Sequence, residues 1–246
     1  MRFFYIKGFL SAILLSPGAA FGAHWSYEGA GAPEYWGNLN SEYKQCQTGK
    51  NQSPTDIHTT LKTHLQPLQV DYRNAPQSII NNGYTIQINY PKNTENKIII
   101  DNETFYLQQF HFHTPGENTV DGKHYPLEMR LVHKNTDNEI AVVAVMFKKG
   151  PLNETIKRLW DIMPTRSDQS HKIDSSLDIG PLLPEDMRYY RFTGSLTTPP
   201  CSEGVRWLVL KQPVTFSEKQ QKKFMEVMHH ANNRPVQTLH GRVIVE

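Results

Sequence analysis

The sequence has only two cysteines in 246 residues, and its charges nearly cancel, leaving a formal net charge of +2. Two thiols are too few for a disulfide-dense scaffold or a cysteine-built zinc module. Runs of Lys or Arg are no longer than pairs such as Lys222-Lys223, so no basic groove for a nucleic acid is expected, and such a pair reads as a solvated helix face. Hydrophobic residues make up 38% of the chain and mean hydropathy is −0.56, which excludes a multi-span membrane protein. Internal repeats and low-complexity stretches are also absent.

What is present begins with the N-terminus. Arg2 and Lys7 form a basic start, Gly8 to Leu15 a short apolar core, Pro17-Gly18 a break, and Ala20-Phe21-Gly22 a small-x-small site. The apolar stretch is too short to span a bilayer comfortably, so residues 1–22 are read as a signal peptide and 23–246 as one domain. The expected location is outside the cytosol, periplasmic or secreted, with no stable membrane anchor after cleavage. Export also changes the meaning of Cys46 and Cys201. In an oxidising compartment the pair is expected to form one disulfide. It would close a loop of about 155 residues, which the chain-entropy account values at about 4–5 kcal/mol.

Along the chain, residues 24–60 are rich in Gly, Asn, Pro and aromatics (Trp25, Tyr27, Tyr35, Trp36) and show little periodicity. Short β-type runs follow between turn signals. Strands are expected at Tyr84–Tyr90, Lys97–Ile100, Phe105–His113, Leu127–His133, Ile140–Phe147, Gly204–Leu210 and Arg242–Val245. The two runs around Asn135-Thr136-Asp137-Asn138 should pair antiparallel. Only two stretches have helical spacing, Leu152–Met163 with Asn153 as cap and Ser217–Ala231 with Ser217 as cap. The expected fold class is α+β and predominantly β: a large, mostly antiparallel sheet with a few surface helices.

The segment from Gln108 to Glu117 carries the chemistry. On a strand, residues i and i+2 share a face, so His111 and His113 point one way while Phe110 and Phe112 point into a core. Two imidazoles at that spacing can share one metal ion, but zinc needs further ligands. By itself, His-x-His points to a hydrogen-bonded pair of partly exposed histidines more often than to a metal site. The run Ser195-Leu196-Thr197-Thr198-Pro199-Pro200-Cys201 should form a stiff loop that presents hydroxyls, since proline removes backbone donors.

Together these features resemble the α-class carbonic anhydrases over nearly all of residues 23–246. The matching segments, in order, are Trp25-Ser26-Tyr27, Asn51-Gln52-Ser53-Pro54-Thr55-Asp56-Ile57, Asn81-Asn82-Gly83, Gln109 to His113, Glu128 to Asn135, Ser195 to Pro200 and Asn233-Arg234-Pro235. The resemblance implies one zinc ion and the reversible hydration of CO2 to bicarbonate, with zinc lowering the pKa of its bound water to about 7. His111 and His113 match two zinc ligands, and Gln109 and Glu128 match residues that orient ligand imidazoles. Thr197 matches the threonine that orients the nucleophile, Glu117 its acidic partner, and Thr198 the mouth of the site. Val132, Val142, Leu196, Val205 and Trp207 match the apolar CO2 pocket, although read alone they are ordinary core residues. The Cys46–Cys201 pair matches the disulfide of exported members.

Four departures from the family pattern fall in the polar machinery. Arg130 stands where the third zinc histidine is expected, and a guanidinium has no lone pair to offer and stays protonated. His133 is no substitute, because strand parity sends it to the face opposite Arg130 unless a bulge intervenes. An ion pair between Glu128 and Arg130 is expected instead. Tyr84 holds the position of the proton-shuttling histidine, and its reference pKa of about 10 makes it a poor shuttle at neutral pH. Asn118 replaces a buried histidine, and Phe192 a tyrosine. The expectation is a family member whose CO2 hydration is weak or lost. The alternatives are a non-catalytic binding module on the same fold, with no protein partner named by the sequence, or an enzyme using the cavity with another metal or for another hydrolysis.

Overall fold

The computed structural model describes residues 24–246, so the signal-peptide reading of residues 1–22 lies outside the described residues. The centre of the molecule is a run of six strands: β1 (Ile86–Asn89), β2 (Glu103–His113), β3 (Leu127–Lys134), β4 (Ile140–Lys149), β5 (Tyr189–Ser195) and β6 (Glu203–Leu210). Their order in space is β1-β2-β3-β4-β6-β5, inside a sheet of 13 strands. Pairing is antiparallel from β1 to β4 and between β5 and β6, whereas β4 and β6 run parallel. The segment Gln169–Lys172 lies at one edge and Thr60–Leu61 at the other. A separate three-stranded sheet joins Asp56–Ile57, Thr119–Val120 and Lys123–His124.

Alternation along the strands sorts side chains onto two faces. Phe110, Phe112, Met129, Leu131, Val143, Val145 and Leu208 belong to the larger core, which includes Ile156, Leu159, Trp160, Phe224 and Met228 from two helices. These are α1 (Glu154–Asp161) and α2 (Glu218–Met228). Both are shorter than the spacing suggested. The Asn153 side chain caps α1 by accepting from the Ile156 N–H, and Ser217 and Gln220 form a reciprocal capping box on α2, which satisfies otherwise orphaned N–H groups. His229 ends α2 in the left-handed region, φ 65°, so the helix stops before Ala231.

The opposite face carries a second cluster: Val142, Ala144, Met146, Phe192, Val205, Trp207 and Val209, with Val132 and Leu196 partly buried against it. This is the face of His111, His113, Glu128 and Arg130.

The strand from Tyr84 begins two residues late, at Ile86, because the Asn82 side-chain oxygen accepts from the N–H of Tyr84 and of Thr85 and holds both in a turn. Tyr189–Ser195 and Ser78–Asn81 form strands that no sequence run had marked. Within the 24–60 segment, residues 29–48 fold as short helical turns around buried Trp36, and the Cys46–Cys201 disulfide is present beside them.

Candidate functional site

β2 and β3 place four polar side chains on one face by register alone. His111 is the direct partner of Arg130, and His113 of Glu128. Partners in an antiparallel pair lie side by side, and i, i+2 neighbours point the same way. A register shift falls between Val132 and His133, where β2 supplies an extra residue, Gln108. Because the bulge sits in β2, β3 keeps its alternation. His133 therefore stays on Leu131's side, fully buried, with its Nε2 2.7 Å from the Tyr72 hydroxyl.

Each imidazole is held by its Nδ1. His111 Nδ1 lies 2.9 Å from Gln109 Oε1, and His113 Nδ1 2.6 Å from the Asn232 carbonyl oxygen. A carbonyl can only accept, so His113 carries its proton on Nδ1 and presents a bare Nε2. That Nε2 is buried and has no hydrogen-bond partner. Burial first, then the neighbouring imidazole of His113 and the Arg130 charge, push the pKa of His111 well below its usual value. Burial likewise lowers His113, against the raising effect of Glu117.

Arg130 is the centre of the site. It is 2% exposed, among the largest fully enclosed side chains in the molecule. Its Nε donates to Glu128 Oε1 at 2.8 Å, and its Nη1 donates to Thr197 Oγ1 at 2.6 Å and to Glu117 Oε2. The guanidinium carbon lies 4.7 Å from the centre of the Trp207 ring, within cation–π range. Burial opposes its charge, but Glu117 and Glu128 outweigh that and raise its pKa. Burial would also raise Glu128, and the Arg130 charge overcomes it and lowers its pKa.

The expected Glu128–Arg130 pair is thus present. The expected role of Glu128 beside an imidazole is replaced: its oxygens take Arg130, the Asn118 side chain, and the N–H groups of Glu117 and Asn118. Gln109 does meet a ligand-type imidazole, His111. The structure brings Thr197 and Glu117 together through Arg130 Nη1, which reaches both. Val132, Val142, Leu196, Val205 and Trp207 gather in one cluster, and Thr198 is half-buried in the adjoining loop. Tyr84 stacks on Trp25 at 3.8 Å, its hydroxyl lies 2.8 Å from His24 Nε2, and its carbonyl accepts from the Asn232 side chain.

Several contributors were given no role at the site by the sequence. Asn232 holds His113 through its carbonyl and the Thr114 N–H through its side chain. Arg234 gives its backbone N–H to Glu117 Oε1 at 2.5 Å, while its buried guanidinium takes Gln52 Oε1 and the carbonyls of Ser53 and Cys46. Tyr27 borders the centre, and burial followed by the charge of Glu117 raises its pKa well above the phenol value. The signal available was the motif Asn233-Arg234-Pro235, which marks the segment without giving its contacts.

This donor set does not fit a zinc ion held by three protein ligands. Among the described residues, no three His, Cys, Asp or Glu side chains converge to hold a metal. Two imidazoles share the face, and the third side chain is a cation.

Comparison with known proteins covers nearly the whole chain. The profile of the eukaryotic-type carbonic anhydrases matches residues 31–246. A carbonic anhydrase of Klebsiella pneumoniae is 55% identical over 240 residues, 98% of each chain. The α-carbonic anhydrase of Thermovibrio ammonificans, solved with the inhibitor sulfanilamide, superposes with a TM-score of 0.88 at 46% identity, covering 92% of this chain and 100% of that one. Dioscorin, solved in complex with ascorbate, superposes with a TM-score of 0.82 at 28% identity, covering 90% and 97%.

Proposed function

This chain belongs to the eukaryotic-type carbonic anhydrase family, and from that premise we propose that it keeps the family fold while CO2 hydration is strongly reduced or lost. One observation carries this reading. Arg130 Nη1 lies against both Thr197 Oγ1 and Glu117, the pair that in the family pattern orients the nucleophile. In the family, zinc supplies a hydroxide near neutral pH from a site of three protein ligands with an open position. Here the third side chain offers no lone pair, and its fixed positive charge repels a divalent cation beside two neutral imidazoles. The five apolar residues that match the CO2 pocket still cluster together, which supports CO2 or bicarbonate as the small-molecule partner if any hydration persists. The Cys46–Cys201 bond supports an exported protein, periplasmic or secreted.

A second reading is a non-catalytic binding module. It draws on dioscorin, a protein of the same fold solved with ascorbate, a small organic molecule. Metal content and CO2 hydration of the purified mature protein decide the main reading. The expected result is no stoichiometric zinc and hydration far below that of a family enzyme; one zinc per chain with rapid hydration would overturn it. Arg130→His is expected to raise zinc occupancy and hydration by orders of magnitude. If it raises neither, the register of β3 against the family pattern is wrong.

A further inference from the structure

We infer that the cage around residue 130 is a receptor for one flat, forked cation, and that the protein fills it with its own Arg130 in place of a metal ion. The inference rests on the reading that the centre works without zinc, and it adds what holds the centre together. Glu117 and Glu128 are both fully enclosed, and two buried carboxylates on one face require a nearby positive charge. Arg234 gives Glu117 only its backbone N–H, because its guanidinium is turned to the carbonyls of Cys46 and Ser53 and to Gln52. Arg130 is the side chain whose positive charge directly meets both acids.

The shape of the cage matches a guanidinium rather than a spherical ion. Its acceptors are spread over two separate nitrogens of the group: Glu128 Oε1 at Nε, and Glu117 Oε2 with Thr197 Oγ1 at Nη1. The Trp207 ring lies at 4.7 Å and offers an apolar, π-rich surface to a planar cation, which suits a guanidinium far better than an ammonium. The remaining Nη2 is buried and unpartnered, and so is His113 Nε2. Arg130 Nη2 and the lone pair that a metal would take are thus both enclosed by protein.

The test uses thermal unfolding of the full mature chain. The wild-type midpoint is expected to move with neither zinc nor a chelator. Arg130→Ala should unfold roughly 10 °C lower, since it leaves two carboxylates buried without their cation. Millimolar methylguanidinium chloride should recover part of that loss, while sodium chloride at equal ionic strength should not. Recovery no greater than with sodium chloride, or an Arg130→Ala midpoint equal to wild type, overturns the inference and leaves the reading of a zinc-poor centre standing. Stoichiometric zinc with rapid hydration in the wild type overturns that reading itself. Should Arg130→Ala fail to fold, Arg130→Lys and Arg130→Met serve in its place. The expected order of midpoints is Arg, then Lys, then Met; Lys no better than Met overturns the inference.

Discussion

Arg130 and His111 are direct register partners across β2 and β3, so the guanidinium of one and the imidazole of the other arise side by side on the same face. The strand pairing that would bring ligands to a shared metal here brings a permanent cation to a neutral ring. The depressed pKa of His111, owed first to burial and further to His113 and Arg130, is one result.

The two carboxylates and the guanidinium should behave as one unit. Arg130→Met is expected to cost about 3–5 kcal/mol, as does stripping one partner from a buried ion pair. Adding Glu117→Gln to Arg130→Met should cost less than the sum of the two single changes, because it removes a carboxylate already left unpaired. Urea unfolding of the four proteins in this cycle measures the coupling, and strict additivity would contradict the contact geometry.

Thr197 should matter only when the centre is rebuilt. In the natural chain Arg130 Nη1 keeps Glu117 after Thr197→Ala, so stability is expected to fall by about 1 kcal/mol, the worth of one hydrogen bond. In the Arg130→His background the same change should lower CO2 hydration on the order of 100-fold, the cost of losing orientation of a reacting group. Stopped-flow hydration assays of both pairs provide the check.

The fold was legible where one physical signal dominated. Alternation from Gln109 to His113 placed the imidazoles on one face and Phe110 and Phe112 in the core, and the structure agrees; the bulge at Gln108, which lets Phe105 and Leu107 join the same core, gave no such signal. Asn153 and Ser217 marked helix starts because capping chemistry is local. Helix ends were less legible, since the αL stop at His229 has no glycine to announce it. The parallel pairing of β4 with β6 and the strand Tyr189–Ser195 depend on long-range partners. Within the site, the family resemblance assigned Arg130 and strand parity excluded His133. The contacts of Asn232 with His113 and of Arg234 with Glu117 could not be read, because they run through a backbone carbonyl and a backbone N–H rather than through side chains.

His133 should leave a signature in acid. Burial drives its pKa down to about 3, against about 6.5 in the unfolded chain. Between those values the unfolded chain binds a proton that the folded protein refuses. Its contribution to stability is therefore complete above about pH 6.5 and falls by about 1.4 kcal/mol per pH unit down to about pH 3. His133→Asn removes this titration, so its stability relative to wild type should improve as pH falls from about 6.5 to about 4. Urea unfolding across that range tests it, and parallel curves for the two proteins would refute it.

The disulfide should be worth more than the contacts of its own sulfurs. Cys46 and Cys201 are 155 positions apart, and Cys201 closes the loop that carries Thr197 and Thr198. Cys46→Ser with Cys201→Ser is expected to cost about 2–5 kcal/mol, chiefly by freeing the unfolded chain. Unfolding midpoints with and without reductant, compared with the double variant, give the measurement.

Arg234 supplies Glu117 with a backbone donor and ties down the segment from Cys46 to Ser53. Chains are made from the N-terminus onward, and domains generally fold as units. Neither the acid at the middle of the centre nor the first helical turns can reach their final partners until translation has passed residue 234. Ribosome-stalled chains ending before that point should therefore remain open to protease along both segments, however complete the strands between them.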